Sequence, residues 1–177
     1  MTHILFEPVK DQLPPVITVY DPDCGSGGML TEAQDFITHP EGQIRAKVDV
    51  YLYGMEINDE TYAICKSDMM IKGNNPENIK CGSTLATDAF AGLRFDFLLS
   101  NPPYGKSWAG DQKYILDGKQ VLDRRFEVPL KDFRGNLETV SATPRSSDGQ
   151  LLFLMEMVNK DSCIRYSYGP RNLSPLK

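Results

Sequence analysis

The sequence predicts an α/β fold, a partial doubly wound parallel sheet with helices on both faces. Three observations predict it. Short apolar, β-branched runs alternate with stretches at helical spacing. A glycine-rich loop follows the first such run directly. An Asn-Pro-Pro-Tyr turn follows the last. Open parallel sheets bind ligands at the carboxyl ends of their strands, so motif placement and fold class agree.

Each element has its own signature. Val16–Tyr20 is β-branched and aromatic, preceded by Pro14 and Pro15, and reads as a buried strand. It runs into the turn-rich Asp21–Gly28. Met29, Leu30, Ala33, Phe36 and Ile37 then recur at helical spacing, which predicts a helix over Met29–Ile37. Val48–Gly54 is a second strand. Glu60–Lys72 is a second helix, with Gly73 as its stop. Ile79–Thr84 is a short third strand, and Phe95–Ser100 a fourth, ended by Asn101–Tyr104. Residues 105–147 carry Gly, Pro and charge without a sustained period, too long for an ordinary connection. Leu151–Val158 reads as a mostly buried helix.

Composition narrows the function classes. The 177 residues, 41% hydrophobic and 24% charged, fit one ordinary soluble domain. No apolar run approaches the roughly 18 residues that a membrane span needs. The first residues lack a basic head followed by a long apolar stretch, so no secretory leader is expected. Cys24, Cys65, Cys81 and Cys163 form no C-x-x-C pair, and His3 and His39 stand apart. Neither a metal site nor a disulfide framework is expected, and reduced thiols in the cytoplasm are the preferred reading. The net charge of -5 is wrong for a chain that grips DNA by itself, since phosphate contacts need Lys and Arg. Between Lys113 and Arg145, seven basic residues meet five acidic ones. That segment is either a solvated loop of mixed charge or a DNA-facing loop.

Three motifs carry chemistry. In the loop Asp21–Gly28, glycine lets the backbone turn tightly and approach a ligand. Asp21, at a strand end beside a helix N-terminus, suits a ligand with an ammonium group. The loop lacks the Lys of a triphosphate-binding loop. Glu56 follows the second strand, where an acidic residue commonly binds a ribose hydroxyl pair. In the third motif, Pro102 and Pro103 stiffen the turn, and Pro102 holds Asn101 extended. The Asn101 amide oxygen accepts from an exocyclic amino group. The Tyr104 ring stacks on a flat heterocycle. Together they fit an amino group on an aromatic ring, held for attack.

DPDCGSGG, YGMEIN, GSTLATDAF and SNPPYG, in this order, resemble the γ-type adenine-N6 DNA methyltransferases. YGMEINDETYAICKSDMMIKG, FAGLRFDFLLSNPPYGKSW and SDGQLLFLMEM are similar to the modification subunit of type I restriction-modification systems. The resemblance covers roughly residues 16 to 160. It implies a Rossmann-like core with strand order 3-2-1-4 and S-adenosylmethionine as cofactor. By the same resemblance, Asp21 and the loop Cys24, Gly25, Ser26, Gly27 and Gly28 hold the methionine part. Glu56 binds the ribose. Asp88 binds the cofactor adenine, with Ile57 and Phe90 as apolar neighbours. Asn101 and the Pro102 carbonyl accept from the target adenine N6, the stiff turn runs on through Pro103, and Tyr104 stacks on the extruded base. The implied partners are DNA, a specificity subunit and a restriction subunit.

The sequence departs from that pattern in three places. Asp23 adds a negative charge to the loop. The aromatic element expected before the first strand is missing from MTHILFEPVKDQLPP. After Asn159 only Asn172–Leu176 matches, so residues 1–177 are expected to be a single incomplete catalytic domain, truncated or frame-damaged, with Cys163–Tyr168 as the sole candidate cover for the fourth strand. Two alternatives stay open. One is an inactive remnant binding only cofactor or partner subunits. The other is a methyltransferase acting on RNA or protein glutamine, against which the YGMEIN…ICKSDMMIKG block argues.

Overall fold

The computed structural model describes residues 1–101, 103, 109–117, 120–123, 129–131 and 137–139. Four strands form one parallel sheet: β1 (Val16–Asp21), β2 (Asp49–Glu56), β3 (Ile79–Cys81) and β4 (Phe97–Leu98). Their order is β3-β2-β1-β4, as the resemblance implies. Register runs from Val16↔Asp49 to Asp21↔Gly54 between β1 and β2, and β4 pairs through Val19↔Phe97 and Tyr20↔Leu98.

The crossovers are helical. Between β1 and β2 lies α2 (Gly28–Thr38), and between β2 and β3 lies α3 (Asp59–Ile71). Local chemistry starts and stops α3. The Asn58 side chain accepts from Thr61 N–H at 2.9 Å, and Asp59 and Glu60 face the positive end of the helix. At the other end, Gly73 adopts φ 74° and Asn74 N–H bonds the Met69 carbonyl.

Strand alternation divides the core. Ile17, Val19, Leu52, Phe97 and Leu99 point to a face packed by Leu30, Ala33, Ile37, Cys65 and Met69 of the two helices. Tyr20, Met55 and Leu98 point the other way, against Phe90 and Phe95. A parallel sheet needs cover on both faces, and the second cover here is largely aromatic. The Tyr20 and Phe95 rings stack at 4.7 Å, and Phe90 meets Tyr20 and Tyr53 edge-on at 5.5 Å each.

Several boundaries differ from the sequence reading. β2 runs two residues further, so Glu56 ends the strand instead of following it. β3 is shorter, stopping at Cys81. β4 begins at Phe97, not Phe95, because the Asp96 carboxylate takes both the N–H and the hydroxyl of Thr18, at 3.0 and 2.8 Å. The N-terminus, unassigned from sequence, forms α1 (Thr2–Phe6) and a 3-10 turn (Glu7–Gln12). Phe6 is fully buried, its ring 4.8 Å from that of Phe97. Residues 105–147 contain short local pieces: α4 (Gln112–Ile115), the hairpin β5 (Leu116–Asp117) with β6 (Gln120–Val121), and the hairpin β7 (Pro129–Lys131) with β8 (Leu137–Thr139). The helix expected over 151–158 and the cover expected over 163–168 lie outside the described residues.

Candidate functional site

The carboxyl ends of β1 and β2 and the segments that follow them are laced together. Cys24 N–H donates to the Met55 carbonyl at 2.8 Å, which ties the glycine loop to β2. Glu56 is buried, and its side chain points into the loop. Its Oε2 accepts from Gly25 N–H at 2.9 Å and its Oε1 from Asn58 N–H at 2.7 Å. The segment after β3 joins them. Gly82 N–H bonds the Glu56 carbonyl at 2.9 Å, and the buried Thr84 hydroxyl donates to the Pro22 carbonyl. Ser83 reaches further, to Asp111 Oδ2 at 3.1 Å.

Two glycines of the site are demanded by their surroundings. Gly27, which caps α2 at φ 85°, leaves no room for a side chain. A Cβ there would lie 2.8 Å from both Cys65 Sγ and Met69 Cε. At Gly54, a Cβ would lie 2.8 Å from Cys24 Sγ and 3.2 Å from Ile79 Cδ1. The two sulfurs fill these spaces and touch each other, 3.9 Å apart. Gly25 needs its φ of 56°, but nothing lies within 4 Å of an added Cβ. At Gly28 neither an unusual φ nor a neighbour excludes a side chain. The loop is therefore closed toward the protein and open on its outer side, as a ligand cradle must be.

Asp21 is the electrostatic centre. It is fully buried, and burial, the largest cause, pushes its carboxyl from an ordinary 3.8 to about 7. Its Oδ1 accepts from Asp23 N–H at 3.0 Å, which opposes the rise, and the charges of Asp23 and Glu56 add to it. Its Oδ2 is buried without a partner. Such an acceptor fits a cationic group, so the donor set suits the ammonium end of an amino-acid-bearing cofactor. The Cys24 thiol is held protonated by its bond with Cys65, by burial and by the nearby carboxylates.

The remaining candidates are placed less closely together. Ile57 is 59% exposed. Asp88 is exposed, its Oδ1 accepting from Phe90 N–H at 3.3 Å. The Phe90 ring is buried among Tyr20, Tyr53 and Phe95. Asn101 is exposed just beyond β4, and Pro103 is half-buried. Pro102 and Tyr104 lie outside the described residues. Sequence reasoning missed Gly54, Cys65 and Thr84. Gly54 carried a signal, as a glycine inside a strand marks a close approach. The others carried none.

The chain matches the N-6 DNA Methylase family over residues 2–159. It is 34% identical over 119 residues to the type I restriction enzyme MpnII methylase subunit of Mycoplasma pneumoniae, covering 62% of this chain and 20% of that protein. It is 33% identical over 92 residues to the HindI methylase subunit of Haemophilus influenzae, covering 51% and 20%. The chain thus spans about a fifth of the length of these curated relatives. The crystal structure of a type I restriction-modification methyltransferase subunit from Streptococcus thermophilus superposes with TM-score 0.60 at 28% identity, covering 88% of this chain and 28% of that one. Strand order, glycine loop and family match agree, and the chain belongs to the N-6 DNA methylase family.

Proposed function

We propose that the chain contributes the cofactor-binding and catalytic core of an adenine-N6 DNA methyltransferase, working as the modification subunit of a type I restriction-modification complex. One observation carries the proposal. The Asp21–Gly28 loop and Glu56 meet at the carboxyl ends of adjacent parallel strands, within a family of N6 methylases. S-adenosylmethionine, when bound, supplies an electrophilic methyl group on a sulfonium. Asp21 and the outer side of the loop hold its methionine end. Glu56 keeps the loop N–H of Gly25 and the N–H of Asn58 in place, and its remaining lone pairs suit the ribose hydroxyls. Asp88, with Ile57 and Phe90, serves the adenine side. Asn101 and the Pro102 carbonyl orient the target amine, Pro103 keeps the turn stiff, and Tyr104 stacks on the extruded base. Catalysis here is positioning, with no covalent nucleophile.

DNA, a specificity subunit and a restriction subunit are the proposed partners, and the cytoplasm the proposed place. Among the described residues no helix is long and apolar enough to cross a membrane. The relatives favour DNA over RNA or protein glutamine. The test is calorimetric titration with S-adenosylhomocysteine, then transfer of a labelled methyl group with the partner subunits present. Label recovered as N6-methyladenine in DNA is expected. Label in RNA or protein, or no binding at all, would overturn the reading.

A further inference from the structure

Among the described residues, two buried side-chain oxygens have no hydrogen-bond partner, Asp21 Oδ2 and Ser100 Oγ. A buried polar atom without a partner is costly, so each demands an explanation. The two lie at the ends of neighbouring strands. β1 closes at Asp21. Ser100 stands two residues beyond β4, and Leu99 N–H still bonds the Tyr20 carbonyl at 2.9 Å. In the order β3-β2-β1-β4, the connectivity reverses between β1 and β4. That switch point is where doubly wound sheets take their ligands. Alternation sends Asp21 to the side of Val19 and Ser100 to the side of Leu98. A ligand reaching both straddles the carboxyl end of the sheet.

The chemistry of the two atoms differs. Asp21 Oδ2 accepts, while the Ser100 hydroxyl has a proton to give. An acceptor and a donor at the carboxyl ends of two adjacent strands complement the ammonium and the carboxylate of an α-amino acid. We propose that Asp21 Oδ2 and Ser100 Oγ are the two poles of an α-amino-acid subsite, with Ser100 donating to the carboxylate of the cofactor's methionine end. This rests on the cofactor reading above. It makes Ser100 a specificity residue for that carboxylate.

The full chain is titrated with three probes: S-adenosylmethionine, its decarboxylated analogue, and methylthioadenosine, which lacks the amino-acid end. Ser100→Ala should weaken S-adenosylmethionine about tenfold and leave the other two unchanged, since only the first carries the carboxylate. Ser100→Thr should keep the parent affinity. If Ser100→Ala melts early, Ser100→Cys, close in size and a poor donor, replaces it. Equal loss for all three probes would show a structural role and overturn the inference, as would no loss for any. Both outcomes leave the parent binding its cofactor. A parent that binds none of the probes overturns the cofactor reading, and this inference with it.

Discussion

Asp21 sets the most telling consequence at the scale of single residues. A carboxyl that ionises near 3.8 in the open chain and near 7 in the fold favours folding while neutral. That stability is fully present below about pH 4 and is lost as pH rises toward 7, amounting to on the order of 4 kcal/mol at most. Asp21→Asn should therefore raise the melting temperature at pH 8 much more than at pH 4. It should also weaken S-adenosylmethionine binding, because the neutral amide offers no charge to an ammonium group. Melting curves at the two pH values check the first claim, and an equal gain at both would contradict it. Asn101 tests the other side of the site. Asn101→Ala should lower methyl transfer by about 100-fold or more while leaving cofactor affinity unchanged. Parent-rate methylation by that variant would remove Asn101 from its assigned role.

At the scale of elements, the glycine loop is held from below by α3. Gly27→Ala must place a methyl group against Cys65 and Met69 at a positive φ, and should cost about 1–3 kcal/mol in denaturant unfolding. An unchanged midpoint would mean that the loop relaxes freely. How much of this was legible follows from local patterning. Val16–Tyr20 announced itself by its β-branched and aromatic run and Met29–Ile37 by helical spacing, and both lie inside the observed elements. Glu56 was found by its place after a strand, although Met55 and Glu56 belong to the strand itself. The Asp96–Thr18 bond was invisible, because it joins residues 78 apart in the chain, and it shortened β4. The N-terminal helical turns were missed for another reason. Leu5, Val9 and Leu13 recur every four residues beside Phe6, and all four join the core. The run is too short, and too close to the prolines, to stand out against its polar neighbours.

The molecule as a whole is acidic, and among the described residues β4 offers one unpaired edge. With a net charge of -5, the isolated chain should bind DNA weakly at physiological salt and without sequence preference. Fluorescence anisotropy at stated salt, with several duplex sequences, checks this. Tight, selective binding would transfer sequence reading from a partner to this chain. The β4 edge carries a second expectation. Open backbone groups on an apolar strand invite pairing with another copy. Light scattering should show mass rising with concentration, whereas a constant monomer mass would mean that the edge is covered.

The contact between Cys24 and Gly54 also constrains how this sequence can drift. The sulfur occupies the place that a methyl group on residue 54 would take. The two positions are thus bound by epistasis. Gly54→Ala alone should be harmful, and Cys24→Ala alone should leave a small void. The pair together should recover much of the loss, with a coupling of about 1 kcal/mol or more in a double-mutant cycle. A lineage can exchange this thiol for a strand methyl group only by passing through one of two weakened ancestors.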